Sequence, residues 1–294
     1  MERLDSLVSS RENISRTKAQ NLIKEGKVQV CGKVLTKPSF MVDDNIEIYI
    51  NDSESYVSRG AYKLKKALEV FDVSVENKVV LDMGASTGGF TQVALGNGAK
   101  KVYSVDVGRG ELARELVENS KVVNLEGTDI RILTKEMVGD SQIVVGDLSF
   151  ISLKHILPKI NELFGKIECV LLFKPQFECG KEIARKYRGV VKDRVVHKNL
   201  LKEFLEELKI YGYILSDITF SPIKGKSGNV EYLLHLNGKK SSVYEIDKVV
   251  EMAFCNANWK LSNKILKKHF EKVLAFYCVF LFFMVYLSWR GKYD

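Results

Sequence analysis

"KVVLDMGASTGGF" (78–90) is the stretch that decides the fold of this 294-residue chain. Its apolar first half reads as a strand, and its glycine-rich second half as a turn that opens a helix. Six further apolar stretches follow: "KVYSVDVG", "KVVNLEG", "SQIVVGDLSF", "ECVLLFKP", "YILSDITFSP" and "VEYLLHL". Between most of them lie segments of helical length. Regular alternation of strand and helix argues an α/β fold, a mostly parallel sheet covered by helices on both faces. In such a doubly wound, Rossmann-like sheet the ligand crevice lies at the carboxyl ends of the strands.

The turn is not the G-x-G-x-x-G dinucleotide fingerprint. Asp82 stands two residues before Gly84, and Gly88-Gly89 come after. Glycines there let the backbone pass close to a ligand at a helix N-terminus. A diphosphate would be repelled by Asp82, whereas the sulfonium and amino groups of S-adenosylmethionine would not be. The second strand ends in Asp106, placed to accept hydrogen bonds from a ribose diol. After the third strand, Thr128-Asp129-Ile130 puts an acid within reach of an adenine amino group. The competing reading is a tight strand–helix turn in some other α/β protein.

"LLFKPQFE" (171–178) carries a lysine to the end of a continuously apolar strand. Lysine is almost never fully buried unless paired. Pro175, with no N–H to donate, ends the strand pairing behind it. Asp147 follows the fourth strand, Lys63 lies in "SRGAYKLKKAL" ahead of the first, and Glu231 belongs to the last. No [DNS]-P-P-[YF] motif follows the fourth strand to grip a planar amine. Cys179, in "FECGK", lacks the Pro-Cys context of a nucleophile for pyrimidine carbons. A Lys/Asp/Lys/Glu set suits an alcohol acceptor. A ribose hydroxyl is a poor nucleophile, and a lysine whose pKa is lowered by burial and a second ammonium can take its proton. Each lysine alone would read as a surface charge; the four together, each at or beside a strand end, point to a site.

Residues 1–50 read as a small separate module. Ser15 is an N-cap for a helix from Arg16 to about Glu25, with Gly26 at its end. A short strand "KVQV", a turn at Cys31-Gly32 and an alternating strand "NIEIYI" follow. From Arg11 to Lys37 seven bases face two acids, while Asp43 to Glu54 holds five acids and no base. A basic helix surface backed by an acidic edge suits phosphate contact, and a solvated helix face is the plainer alternative. The polar stretch 51–60 reads as a linker, 61–240 as the sheet domain, and 241–294 as a helical extension that ends in an apolar run, 273–289.

The net charge of +8 mildly favours a polyanionic partner. Five widely spaced cysteines with no C-x-x-C pair indicate neither a disulfide framework nor a metal site, which fits the cytoplasm. The charged N-terminus has no signal-peptide pattern.

"RLDSLV", "SRTKAQNLIKEGKVQVCGKVLTKPS", "VSRGAYKLKKAL", "LDMGASTGGFTQVAL", "VYSVDVGRGEL", "DLSFISL", "LLFKPQFE" and "KGKSGNVEYLL" together resemble the TlyA family of haemolysin-named ribosomal RNA 2′-O-methyltransferases. The resemblance covers about residues 3–238. It implies an S4 RNA-binding domain at 1–50 joined to an FtsJ-like, class I methyltransferase domain with a seven-stranded sheet. It implies methyl transfer from S-adenosylmethionine to cytidine 2′-hydroxyls of ribosomal RNA, with ribosomal subunits as partners. On it, the catalytic set falls on Lys63, Asp147, Lys174 and Glu231. The cofactor contacts fall on Asp82, Gly84, Ser86, Gly88, Gly89 and Phe90, on Asp106 and Val107, and on Asp129 and Ile130. Arg11, Arg16, Lys18, Lys24, Lys27 and Arg59 would meet RNA. Cys31, Glu111 and Asp129 depart from the family's usual Asn, Gln and Asn. Two rival functions are a membrane-active cytolysin, supported only by the apolar run, and an RNA-binding protein without catalysis. The run itself, with Lys272 and Arg290 at its flanks, is short for a membrane span and suits weak membrane contact.

Overall fold

The structure is a computed structural model, and it describes residues 1–12, 14–50, 56–238 and 244–255. The expectation for 273–289 lies outside these residues. Among them, no helix is long and apolar enough to cross a membrane.

The first module contains β1 (Glu2–Arg3), α1 (Leu4–Arg11), α2 (Arg16–Lys24), β2 (Val28–Val30), β3 (Lys33–Val34), β4 (Met41–Val42) and β5 (Ile48–Ile50). The Ser15 side chain accepts from the Lys18 N–H and so caps α2, as its position predicts. Leu4, Leu7 and Val8 of α1 pack on Ala19, Leu22 and Ile23 of α2, above Val28, Val30 and Val42. The turn between β2 and β3 has φ of +46° at Cys31 and +74° at Gly32. Both central residues are left-handed, the geometry that favours Asn-Gly, so Cys31 carries a local strain that the more usual asparagine would relieve.

The second domain runs α3 (Ala61–Val70), β6 (Val79–Met83), α4 (Gly89–Gly96), β7 (Lys101–Asp106), α5 (Arg114–Val117), β8 (Val122–Glu126), α6 (Lys135–Val138), β9 (Ile143–Gly146), α7 (Leu157–Phe164), β10 (Glu168–Phe173), α8 (Pro175–Glu178), α9 (Gly180–Lys186), α10 (Arg194–Ile210), β11 (Leu215–Phe220), β12 (Tyr232–Leu236) and α11 (Ile246–Cys255). Its sheet has the order β11-β12-β10-β9-β6-β7-β8 among the described residues. All pairings are parallel except those of β12, which is antiparallel to β10 and to β11. The strands are apolar on both faces because both faces are covered. Val80, Val145, Val170 and Leu172 pack under α3 and α4. Leu81, Val144, Leu171 and Phe173 pack under α7 and α10 on the other side.

The segment after 240, expected as a helical extension, begins with a helix that packs on the sheet domain. Ile246, Val250 and Ala253 recur on one face of α11 and are buried in the same core as α10 and the sheet. Phe254 meets the ring of buried His197 at 5.0 Å. The helix therefore shares the core of the sheet domain. Its periodicity was visible, but nothing in the sequence says which surface an amphipathic helix covers.

Candidate active site

The site follows from strand register. β9 and β10 are parallel neighbours, so Asp147, one residue past β9, emerges beside the end of β10. β12 runs against β10 with Phe173 opposite Tyr232, so Lys174 and Glu231 come together at the same edge of the sheet. Pro175 begins α8 directly after Lys174, which stays extended at φ −114°. Proline at the first helical position has its φ preset and lacks only an N–H that would be unpaired there. Lys63 arrives from the first turn of α3.

The four side chains form one contact set. Lys63 Nζ lies 2.9 Å from Asp147 Oδ2 and 2.8 Å from Glu231 Oε2. Lys174 Nζ lies 2.7 Å from Asp147 Oδ1. It also donates to Ser149 Oγ at 2.9 Å and, more weakly, to the Asp147 carbonyl at 3.4 Å. Lys63, Lys174 and Glu231 are buried. Burial alone would depress the Lys63 ammonium, but Asp147 and Glu231 outweigh it and hold its pKa above the usual lysine value. Burial likewise opposes ionisation of Asp147, and Lys63 and Lys174 overcome it, so its pKa is lowered. Lys63 thus stays a cation that anchors both carboxylates.

The glycine-rich turn leaves β6 at Gly84, which has φ +80° and sits so close to the Asp147 backbone that a Cβ would lie 3.1 Å from its carbonyl oxygen. The turn and the four-residue set are therefore adjacent. Asp82 is fully buried. It accepts from Thr91 Oγ1 at 2.7 Å, while its Oδ1 has no partner. Burial pushes its pKa up to about 7, opposed by Thr91 and reinforced by Asp147 and Asp106. Asp106 accepts from the Ser86 and Gly108 N–H groups, both at 2.8 Å. Glu111 accepts from Ser86 Oγ at 2.9 Å. Convergent carboxylates, one with an unmatched buried oxygen, fit a cationic ligand carrying a diol and do not fit a phosphate.

Other expected cofactor residues separate into groups. Gly88 has φ +93°, a left-handed backbone that favours glycine, and Gly89 fits against the start of α3. The Phe90 and Ile130 side chains are buried in the two cores. Val107 is 70% exposed beside Asp106. Asp129 is held by Arg131, whose guanidinium donates to both carboxylate oxygens. Its acceptor capacity towards a ligand is reduced accordingly.

The basic residues of the first module are not all free. Arg16 and Gln20 of α2 donate to Asp5, a buried carboxylate of α1 that also receives Arg3. Arg11 donates to the Ile46 and Asp44 carbonyls. Lys27 pairs with Glu25 and lies over the Tyr62 ring. Of the polar side chains along α2, Arg16 and Gln20 are thus taken up in an internal hydrogen-bonded network. Lys24 and Arg59 are exposed, and Lys18 is half-buried. Sequence reasoning also missed three groups at the mouth. These are Ser149, Gln176, whose amide donates to Glu231 at 3.5 Å, and Phe150. Phe150 is 91% exposed, at φ +63°, with its ring 5.1 Å from that of Phe177. Ser149 and Phe150 stand inside "GDLSF" and Gln176 inside "KPQFE", so nearness to the motif acid and lysine was the available signal.

A mostly parallel seven-stranded sheet, with an acid–glycine turn after β6 and acids after the neighbouring strands, defines a Rossmann-like methyltransferase. The FtsJ-like methyltransferase family model matches residues 56–238, and the S4 domain model matches residues 2–48. The chain is 40% identical over 252 residues to a 23S rRNA (cytidine-2′-O)-methyltransferase of Campylobacter jejuni, covering 79% of this chain and 98% of that protein. It is 42% identical over 226 residues to a 16S/23S rRNA (cytidine-2′-O)-methyltransferase of Mycobacterium tuberculosis, covering 76% and 84%. The solved structure of a hemolysin-named protein from Streptococcus thermophilus is 35% identical with a TM-score of 0.66, covering 92% of this chain and 98% of that one. The chain belongs to the TlyA family of FtsJ-like methyltransferases that carry an S4 domain. It is an enzyme, and its methyl donor is S-adenosylmethionine.

Proposed function

We propose that the protein methylates ribose 2′-hydroxyls of ribosomal RNA, with cytidine as the nucleoside and the cytoplasm as the place. The observation that carries this reading is the Lys63–Asp147–Lys174–Glu231 contact set beside the glycine-rich turn. Bound S-adenosylmethionine supplies an electrophilic methyl group. Asp82, Asp106 and the backbone from Gly84 to Ser86 hold its charged and ribose portions. Lys174 takes the proton from the 2′-hydroxyl. Asp147 steers Lys174, Lys63 holds Asp147 and Glu231 in place, and Ser149 fixes the direction of the Lys174 amine. Phe150 and Phe177 offer aromatic faces at the mouth on which a base can stack. The S4 module docks RNA through Lys18 and Lys24, with Arg59 beside the mouth. The test is mass mapping of 2′-O-methyls in ribosomal RNA from cells with and without the protein. Loss of a cytidine 2′-O-methyl on deletion is expected, and an unchanged map would end the reading.

Two cofactor predictions arise from the acids. Asp106→Ala should weaken S-adenosylmethionine binding by about 1.5–3 kcal/mol, the range for a charge-assisted hydrogen bond. Calorimetry showing wild-type affinity would remove Asp106 from the ribose. The second concerns pH. In the free protein Asp82 is protonated below about 7. A cationic ligand favours its ionised form, so binding expels a proton there. Affinity should therefore rise with pH by up to about tenfold per unit and level off above pH ~7. Asp82→Asn should flatten that profile, and a wild-type affinity independent of pH would contradict the coupling.

A further inference from the structure

We propose that the methyltransferase domain carries its own RNA-docking surface, a basic rim of Lys181, Arg185, Arg188, Lys192, Lys224 and Lys226. It grips backbone phosphates of the strand that bears the target ribose. This rests on RNA being the acceptor.

The rim is built from two segments that adjoin the reacting groups. The first leaves Lys174 through α8 and α9 and runs on to Lys192. The second, 224–228, precedes Glu231. Asn229 ties them together: its Nδ2 donates to the Gly189 carbonyl at 2.9 Å, and its Oδ1 accepts from the Val191 N–H at 3.0 Å. Asn229 is buried, and Gly225 N–H donates to its carbonyl at 3.0 Å. The segment at Gly189–Val191 is thus fixed beside the segment that leads into Glu231, two residues past Asn229.

Their charge is one-sided. From Lys181 to Lys192 there are five bases and one acid. All six rim residues are exposed. None of the six forms an ion pair among the described residues. The neighbouring helices behave otherwise. Arg194, Lys198 and Lys202 of α10 are matched by Asp247 and Glu251 of α11. A merely solvated face would intersperse signs as those helices do. Arg188 adds a further cost, since it is held at φ +50° directly before Gly189.

The occupant that complements a one-sided row of exposed bases is a polyanion with spaced charges. A lipid surface is less suitable, because membrane-binding segments interleave large apolar side chains with their bases. Neither 181–192 nor 224–228 contributes an exposed large hydrophobic residue. Backbone phosphates on either side of a ribose at Lys174 match the rim's position and chemistry.

The test uses the full chain with Lys181→Gln, Arg185→Gln, Lys192→Gln and Lys224→Gln combined. Its binding to a ribosomal RNA fragment that the wild type methylates is followed by fluorescence anisotropy from about 50 to about 200 mM salt. The slope of log affinity against log salt should fall by about 0.7–0.9 per charge removed, or about 3 in all. KM for RNA should rise more than kcat falls, and affinity for S-adenosylmethionine should stay at the wild-type value, which also reports the fold. Restoring the charges as Lys181→Arg and Lys192→Arg should recover part of the slope. An unchanged slope with wild-type methylation intact would overturn the rim alone. Failure of the wild type to transfer methyl to RNA would overturn the acceptor reading instead. Loss of binding to phosphatidylglycerol vesicles with the RNA slope kept would assign the rim to lipid and overturn the proposal.

Discussion

Lys174→Ala should lower single-turnover methyl transfer by at least ~10²-fold while affinity for S-adenosylmethionine stays near wild type. The contact set packs two lysine side chains against two carboxylates. Removing Lys174 leaves Asp147 with Lys63 as its one cationic partner and leaves nothing at the strand end to take the hydroxyl proton. Two kinds of role can be told apart by the conservative change. Lys174→Arg keeps the charge and the contact with Asp147, but a guanidinium does not lose its proton in a protein. If Lys174 is the base, arginine should be nearly as inactive as alanine. If arginine restores most of the rate, the residue acts through its charge and the base lies elsewhere. Lys63→Arg makes the contrast sharper. Lys63 is held as a cation by Asp147 and Glu231, so a second permanent cation there should cost less than the same change at Lys174.

The strands, their order of chemistry and the four-residue set were legible because each depends on a local signal. Apolar runs end at Asp82, Asp106, Asp147 and Lys174, and a parallel sheet brings the ends of such runs to one edge. Glu231 was readable only with the reversed last strand, whose register against β10 sets it beside Lys174. What could not be read was pairing across the chain. The bases of α2 look alike in sequence, yet Arg16 is bound by Asp5, eleven residues away, while Lys24 is exposed. Asp5 is buried and its ionisation is strongly favoured by Arg3, then by Gln20 and Arg16 against the cost of burial. Nothing in "RLDSLV" marks it as a core carboxylate. Phe90 and Ile130 show the same limit in reverse, since motif position put them at the cofactor and packing put their rings and branches in the core. Ser149 and Phe150 were missed because a hydroxyl and an aromatic beside an acid have many ordinary uses.

Ending the chain at Gly238 should cost about 5 kcal/mol or more of folding stability. Ile246 and Val250 of α11 are buried, and fully burying such a side chain contributes about 1.5–3 kcal/mol. Ala253 and the partly buried Tyr244, Val249 and Phe254 pack around them on the same core. The ion pairs to α10 add little, because the charges of Arg194, Asp247 and Glu251 lie largely in water. The loss therefore comes from apolar surface. The core of α10 and the sheet would face solvent over that strip, and His197 would lose its contact with the Phe254 ring. Domains of this kind have about 5–15 kcal/mol in all, so the shortened chain should lose a large fraction of its folding stability. Shortening also removes residues beyond α11, so a point change in the full chain isolates the helix. Val250→Ala should cost about 2 kcal/mol and lower Tm by roughly 4–8 °C. Urea unfolding of both variants checks the claim. A shortened chain with the wild-type midpoint, or Val250→Ala with no shift, would mean that α11 adds nothing to the core it covers. The sheet domain would then end before it.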